Sequence, residues 1–243
     1  MQQQTQSIED PAASERTAID LRELSELGRR ARALAAYDNL SPGQRLELIA
    51  KHRPRLLFAE LQKRHGCAFY WWPLENGADI WRVMLAKPAR GVEMTVTAIL
   101  SADHDRLDAL WNDFESAVEL CHIDAVHRRV GEISVGLRRF IDIEEAIVFP
   151  LLEAQMGTDD KHLTVVMRSE HREIERLLDS FDKLRLAKDC ATILRPFDQP
   201  VEPLLLLWNH FRSEDTVLYP LIERVLCRAE QKDLVPIIQA FEI

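Results

Sequence analysis

The chain has 243 residues, 47% of them hydrophobic and 29% charged, with only 8 Gly and 11 Pro. This excludes collagen-like, low-complexity and broadly disordered polymers and leaves one large or two small globular domains. Forty acidic against 31 basic residues give a formal net charge of −9, so no basic field draws in phosphate backbones and nucleic acid is excluded as a partner class. No uncharged apolar run reaches the roughly 18 residues of a membrane span, and the opening Met1-Gln-Gln-Gln-Thr-Gln-Ser7 has neither the positive stretch nor the apolar run of a secretory leader. The expectation is a cytoplasmic protein with no membrane partner.

Residues 1–16 carry hardly a large apolar side chain and are expected to be a disordered tail, because too little surface can be buried to offset the entropy of ordering. A small α/β domain is expected over residues 17–87. Its elements are a short run at Ala18-Ile-Asp-Leu21, a helix near Leu27 to Ala36, an alternating strand Arg45 to Ala50, a helix Arg55 to Lys63 entered after Pro54, and strands Ala68 to Trp72 and Ile80 to Leu85. Asn76-Gly77 lies between the last two and marks a turn. The order β-α-β-α-β-β fits a two-layer sandwich, one sheet with helices on one face. Cys67, Cys121, Cys190 and Cys227 form no C-x-x-C pair and read as small buried hydrophobes.

Residues 88–92, within Lys87-Pro-Ala-Arg-Gly91 and its neighbour, read as a linker. From residue 93 to 243 the strand signal gives way to 3.6-residue apolar spacing. Helices are expected at roughly 93–120, 125–155, 160–187 and 199–227, an up-down four-helix bundle. The fold class expected for the whole chain is therefore α+β in two domains.

This helical half repeats itself. Asp103-His104 followed by Asp108 and Phe114 matches Glu170-His171 followed by Glu175 and Phe181 at a shift of 67 residues. Glu144 to Glu153, through Phe149-Pro150, matches Glu214 to Glu223, through Tyr219-Pro220, at a shift of 70. Two copies of a helix hairpin place a pseudo-twofold axis through the bundle core, and the residues on it are polar. His210 and Glu214, spaced i to i+4, share one helix face. His104, His171 and Glu144 can converge on them from the other helices. Carboxylates bridging cations and imidazoles completing their shells are the construction of di-iron and di-manganese sites in bundle cores. One His–Glu pair alone is ordinarily a solvated surface pair; five such residues in register across four helices are not. The repeat has one exception. The counterpart of His210 is Phe140, which has no lone pair to donate.

Residues 94–227 resemble the bacterial hemerythrin-like (HHE cation-binding) domains, on a His in helix one, a Glu before Phe-Pro, a His in helix three and His-x-x-x-Glu before Tyr-Pro. The resemblance implies His104, His171 and His210 as terminal ligands and Glu144 and Glu214 as bridges. It also implies one or two non-haem irons, with manganese served by the same ligands. The expected function is to bind or sense O2, NO or peroxide, or to store iron, at a centre made asymmetric by Phe140, rather than turnover catalysis. Two alternatives accompany it, an iron-donating repair protein for damaged iron–sulfur clusters and a metal-free interaction module. The first 90 or so residues resemble a small domain of unknown function found ahead of such modules, itself like the sulfur-carrier sandwich. No cysteine stands beside a proline at its first helix, so a persulfide role has no support, and a protein partner is the role expected for this domain.

His122, His127 and His162 have no repeat counterpart and are assigned to helix ends or the surface, and Asp108 and Glu175 to solvated charge. The run Leu204 to Trp208 reads as helix buried on several sides, and Trp71 and Trp72 as packing on the sheet faces.

Overall fold

A computed structural model describes residues 17–155, 162–194 and 202–241. The tail expected at 1–16, and the first residues of the helices expected to begin at 160 and 199, lie outside the described residues. The N-terminal elements follow the expected order: β1 (Thr17–Asp20), α1 (Glu26–Asp38), β2 (Arg45–Ala50), α2 (Arg55–His65), β3 (Tyr70–Asn76) and β4 (Trp81–Ala86). The sheet order is β1-β2-β4-β3, with β1 and β2 parallel across the α1 crossover and the other pairs antiparallel. Ser25 opens α1 by accepting the Gly28 N–H at 3.2 Å. Gly66 ends α2 at φ +60°, in the left-handed region that a Cβ disfavours. Pro73 has no N–H for the ladder, and the register slips between it and Glu75, leaving Leu74 as the extra residue of a bulge.

The sheet is covered on both faces. Leu34, Tyr37, Leu57, Phe58 and Leu61 from α1 and α2 pack on Leu46, Leu48, Trp71, Trp81, Val83 and Leu85. Trp72, Leu74, Met84 and Ala86 point the other way, with Tyr70 and Ala102 packed against them. Ala102 belongs to α3 (Val96–Glu119), so the helical half forms the second cover in place of the open face expected of a two-layer sandwich. The strands carry the reason. β4 is buried at Trp81 and again at Val83 through Ala86, the continuous pattern of a strand covered on both sides rather than the alternation of a half-exposed one. Arg82 crosses the junction, its guanidinium 2.6 Å from Glu47 and 2.7 Å from Glu132 on the bundle. Arg106 lies over the Trp72 ring at 5.7 Å.

The bundle itself is α3, α4 (Ile123–Ile143) continued by α5 (Phe149–Gln155), α6 (His162–Asp182), and α8 (Glu202–Ser213) continued by α9 (Tyr219–Val225). Thr95 caps α3 by accepting the Ala98 N–H. Two helices were not expected, the short α7 (Cys190–Leu194) and α10 (Arg228–Ala240). Gln239 of α10 donates to the carbonyls of Cys67 and Phe69, tying the end of the chain to the α/β half. Among the described residues no helix is long and apolar enough to cross a membrane.

Three local expectations change. In the run before His210, Leu207 is buried but Leu205 and Trp208 are 55% and 42% exposed, so this helix is covered on one side only. Cys227 is exposed, Cys67 half-buried and Cys121 disulfide-bonded, so the cysteines are not uniformly buried hydrophobes. Asp108 is partly buried, which raises its pKa, and Glu175 accepts from Arg138 at 3.3 Å; neither is simply a solvated charge. Trp71 and Trp72 do pack on opposite sheet faces, and His127 contacts the Ala187 carbonyl at 2.8 Å, away from the bundle axis.

Candidate metal centre

The site is built where two helices loosen. Residues Glu144–Val148 and Glu214–Leu218 each form one π turn, closed by the Phe149 N–H on the Glu144 carbonyl and the Tyr219 N–H on the Glu214 carbonyl. Each is followed at once by a proline, Pro150 or Pro220, which has no N–H to continue the i to i−4 ladder. Inserting a residue into the turn relieves that break, and the pattern recurs in both copies of the repeat.

Four of the five expected ligands come together. Each of Glu144, His171, His210 and Glu214 offers a ligand atom, and these atoms all lie within 4.8 Å of one another, with all four side chains buried. The His210 Nε2 is 2.7 Å from a Glu214 oxygen and the His171 Nε2 is 3.2 Å from a Glu144 oxygen. Both Nε2 atoms and all four carboxylate oxygens nevertheless lack a hydrogen-bond partner of acceptable geometry. Six buried polar atoms in close contact but without a hydrogen bond of acceptable geometry would be costly as they stand. A cation at their common focus removes that cost, so the donor set fits a metal of the iron or manganese class.

The other ring nitrogens are held from outside. His171 Nδ1 is 2.9 Å from Glu145, and His210 Nδ1 is 2.8 Å from Glu170. Outer carboxylates of this kind fix an imidazole's tautomer and orientation and raise its basicity as a ligand. Without a cation the charges are strained. Burial pushes Glu144 well above the usual carboxylate range, with Glu214 adding to it. Burial also acts to raise Glu214, but the imidazoles of His104 and His210 outweigh it and hold that carboxyl at about 2. His171 is lowered, first by burial and then by neighbouring His210.

Residues 95–222 match the model of the hemerythrin HHE cation-binding domain, more than half of the chain. The chain belongs to the hemerythrin HHE family. Residues 18–87 match a second model, described as an uncharacterised conserved protein family, DUF2249. No curated protein and no solved structure gives a match.

Within this hemerythrin bundle the fifth expected ligand behaves differently. His104 stands against the same cluster, its Nε2 2.6 Å from Glu214 and its Nδ1 3.4 Å from Asp215. The Tyr219 hydroxyl also lies within 3.1 and 3.3 Å of its two ring nitrogens. Burial draws the His104 pKa down, but the Glu214 contact prevails and leaves it raised. Phe140 occupies the place its repeat counterpart gives to an imidazole, with its ring 4.8 Å from His104 and that of Phe211 at 4.3 Å.

The residues that sequence reasoning passed over are the outer carboxylates Glu145 and Glu170, together with Asp215 and Tyr219. A signal was present. The acid before each histidine and the acid after each bridging glutamate recur in both copies of the repeat, but which imidazole each one reaches depends on helix packing.

Proposed function

We propose that this hemerythrin-family protein binds non-haem iron in its bundle core and uses it to bind or sense a small oxidant or diatomic, O2, NO or peroxide, or to hold iron in reserve. The observation that carries the reading is the convergence of six buried nitrogen and oxygen atoms of Glu144, His171, His210 and Glu214, none with a hydrogen bond of acceptable geometry. These residues would hold the metal, and His104 borders them. When bound, iron supplies a redox-active centre able to exchange charge with a small ligand.

The chain's own contribution is orientation and exclusion of water. Glu145 and Glu170 fix the two imidazoles. Phe149, stacked on His171 at 5.5 Å, and Phe211 beside His104 make the surroundings apolar, which governs solvent access and potential. A small crevice with Leu107, Trp111, Leu137 and Asp108 among its walls lies against Phe211. The covered sheet supports a further part of the reading: the DUF2249 half packs directly on the bundle, so a protein partner docking on it would sit against the domain that holds the centre.

Elemental analysis of anaerobically purified full-length protein, with absorption spectra before and after exposure to air, is the test. Bound iron with an air-sensitive near-ultraviolet band is expected. Bound iron that passes to an apo iron–sulfur protein and is stripped readily by chelators would replace the sensor reading with iron donation. No metal after reconstitution with ferrous ion, and no change in thermal stability on adding it, would leave a metal-free interaction module.

A further inference from the structure

The two copies of the repeat treat the acid before each histidine, Glu170 and Asp103, in opposite ways, and that difference bears on how many ions the core is built to hold. Glu170 accepts from His210 in one copy. Its counterpart Asp103 has no imidazole to hold, because position 140 is Phe, and it faces two arginines instead. Arg106 donates to Asp103 at 2.7 Å, and Arg139 approaches its other oxygen at 3.5 Å while donating to the Ile238 carbonyl at 2.8 Å. Arg139 and Asp103 are 3% and 2% exposed. In the other copy the positions of Arg106 and Arg139 are Glu173 and Asn209, so this buried ionic cluster belongs to the Phe140 half alone.

The imidazoles differ too. His171 and His210 each keep one ring nitrogen unpaired and facing the carboxylates. His104 has an added neighbour, the Tyr219 hydroxyl 3.1 Å from its Nε2, beside Glu214 at 2.6 Å from the same nitrogen and Asp215 near its Nδ1. Tyr219 is itself the counterpart of Phe149, which has no hydroxyl to offer His171.

Resting on the iron-binding reading above, we infer that the centre takes a single ion, held by Glu144, His171, His210 and Glu214. His104 is then a positioning residue that fixes the Glu214 carboxylate, and the second metal position is closed by Phe140 together with the pairing of Asp103 to Arg106 and Arg139. Restoring the missing imidazole is therefore insufficient, because the carboxylate that would orient it is already committed.

The experiment is a count of ferrous ion per full-length chain under anaerobic conditions, by elemental analysis and calorimetric titration. One ion is expected in the natural chain, one in Phe140→His, and two in the triple variant Phe140→His with Arg106→Gln and Arg139→Asn, which removes both cations from Asp103. Two ions in the natural chain or in Phe140→His alone overturn the inference while sparing the metal reading, and so does one ion in a folded triple variant. No ion in the natural chain overturns both. Should the triple variant not fold, His104 decides. His104→Leu is expected to lower affinity roughly 10- to 100-fold with the count still one at saturation, and His104→Gln, which keeps a donor toward Glu214, to restore it. A natural-type chain that loses its ion altogether in His104→Gln overturns the positioning role.

Discussion

Set side by side, the two hairpins of the bundle share a backbone and divide on chemistry. Both loosen into a π turn six residues before a proline's end of the motif, from Glu144 to Pro150 and from Glu214 to Pro220. In both, two consecutive acids straddle one histidine of the opposite hairpin, Glu144 and Glu145 around His171, Glu214 and Asp215 around His104. They part at the i−4 position, where one has His210 and the other Phe140. Everything around Phe140 has been re-paired: Asp103 with two arginines, His104 with a tyrosine. A buried carboxylate without a partner would cost several kcal/mol, and Asp103 has the arginines where Glu170 has an imidazole. The halves differ at position 140 and in the residues around it, Arg139 against Asn209, Arg106 against Glu173 and Tyr219 against Phe149.

This comparison can be broken from its strong side first. His210→Ala is expected to abolish metal binding and the thermal shift that ferrous ion produces, read by elemental analysis and by melting with and without the ion; a variant that keeps its metal would show the halves to be interchangeable. Next in size is Arg139→Ala, which leaves Asp103 to Arg106 alone and frees the Ile238 carbonyl. It should cost about 1–3 kcal/mol in denaturant unfolding. Asn209→Ala, at the corresponding but exposed position, should stay within about 0.5 kcal/mol.

Smaller effects sharpen the distinction. Glu170→Gln should weaken ferrous binding about 10- to 100-fold, whereas Asp103→Asn should leave that affinity alone and lower stability instead, and calorimetry beside unfolding curves separates the two. Smallest is Tyr219→Phe, expected to cost about 1 kcal/mol as one buried hydrogen bond is lost, with no change in the number of ions bound. A gain of a second ion there would mean that the hydroxyl, not the arginine pair, closes the Phe140 half.

Much of this was legible in the sequence because duplication doubles every signal. The shifts of 67 and 70 residues aligned the ligands and exposed Phe140 as the odd member without any structure. The α/β elements were equally readable, since Asn76-Gly77 and Pro54 punctuate them by local chemistry. What stayed hidden depended on contacts between distant segments. The π turns need one extra residue in a turn, which no periodicity count resolves beside a proline that already ends the pattern. α10 has Pro236 in its interior, ordinarily a reason to reject a helix, and no partner in the repeat. The committed state of Asp103 could not be read either. An aspartate three residues before an arginine is an ordinary surface pair until α4 brings Arg139 against it.

The hydrogen bonds from Gln239 to the carbonyls of Cys67 and Phe69 span 172 and 170 residues. Contacts of such separation are slow to form, because the loop entropy must be met before they contribute. Until the bundle is in place, the sheet face bearing Trp72 and Met84 has no cover. A chain stopped between residue 86 and residue 239 is therefore expected to expose an apolar sheet and to associate through it.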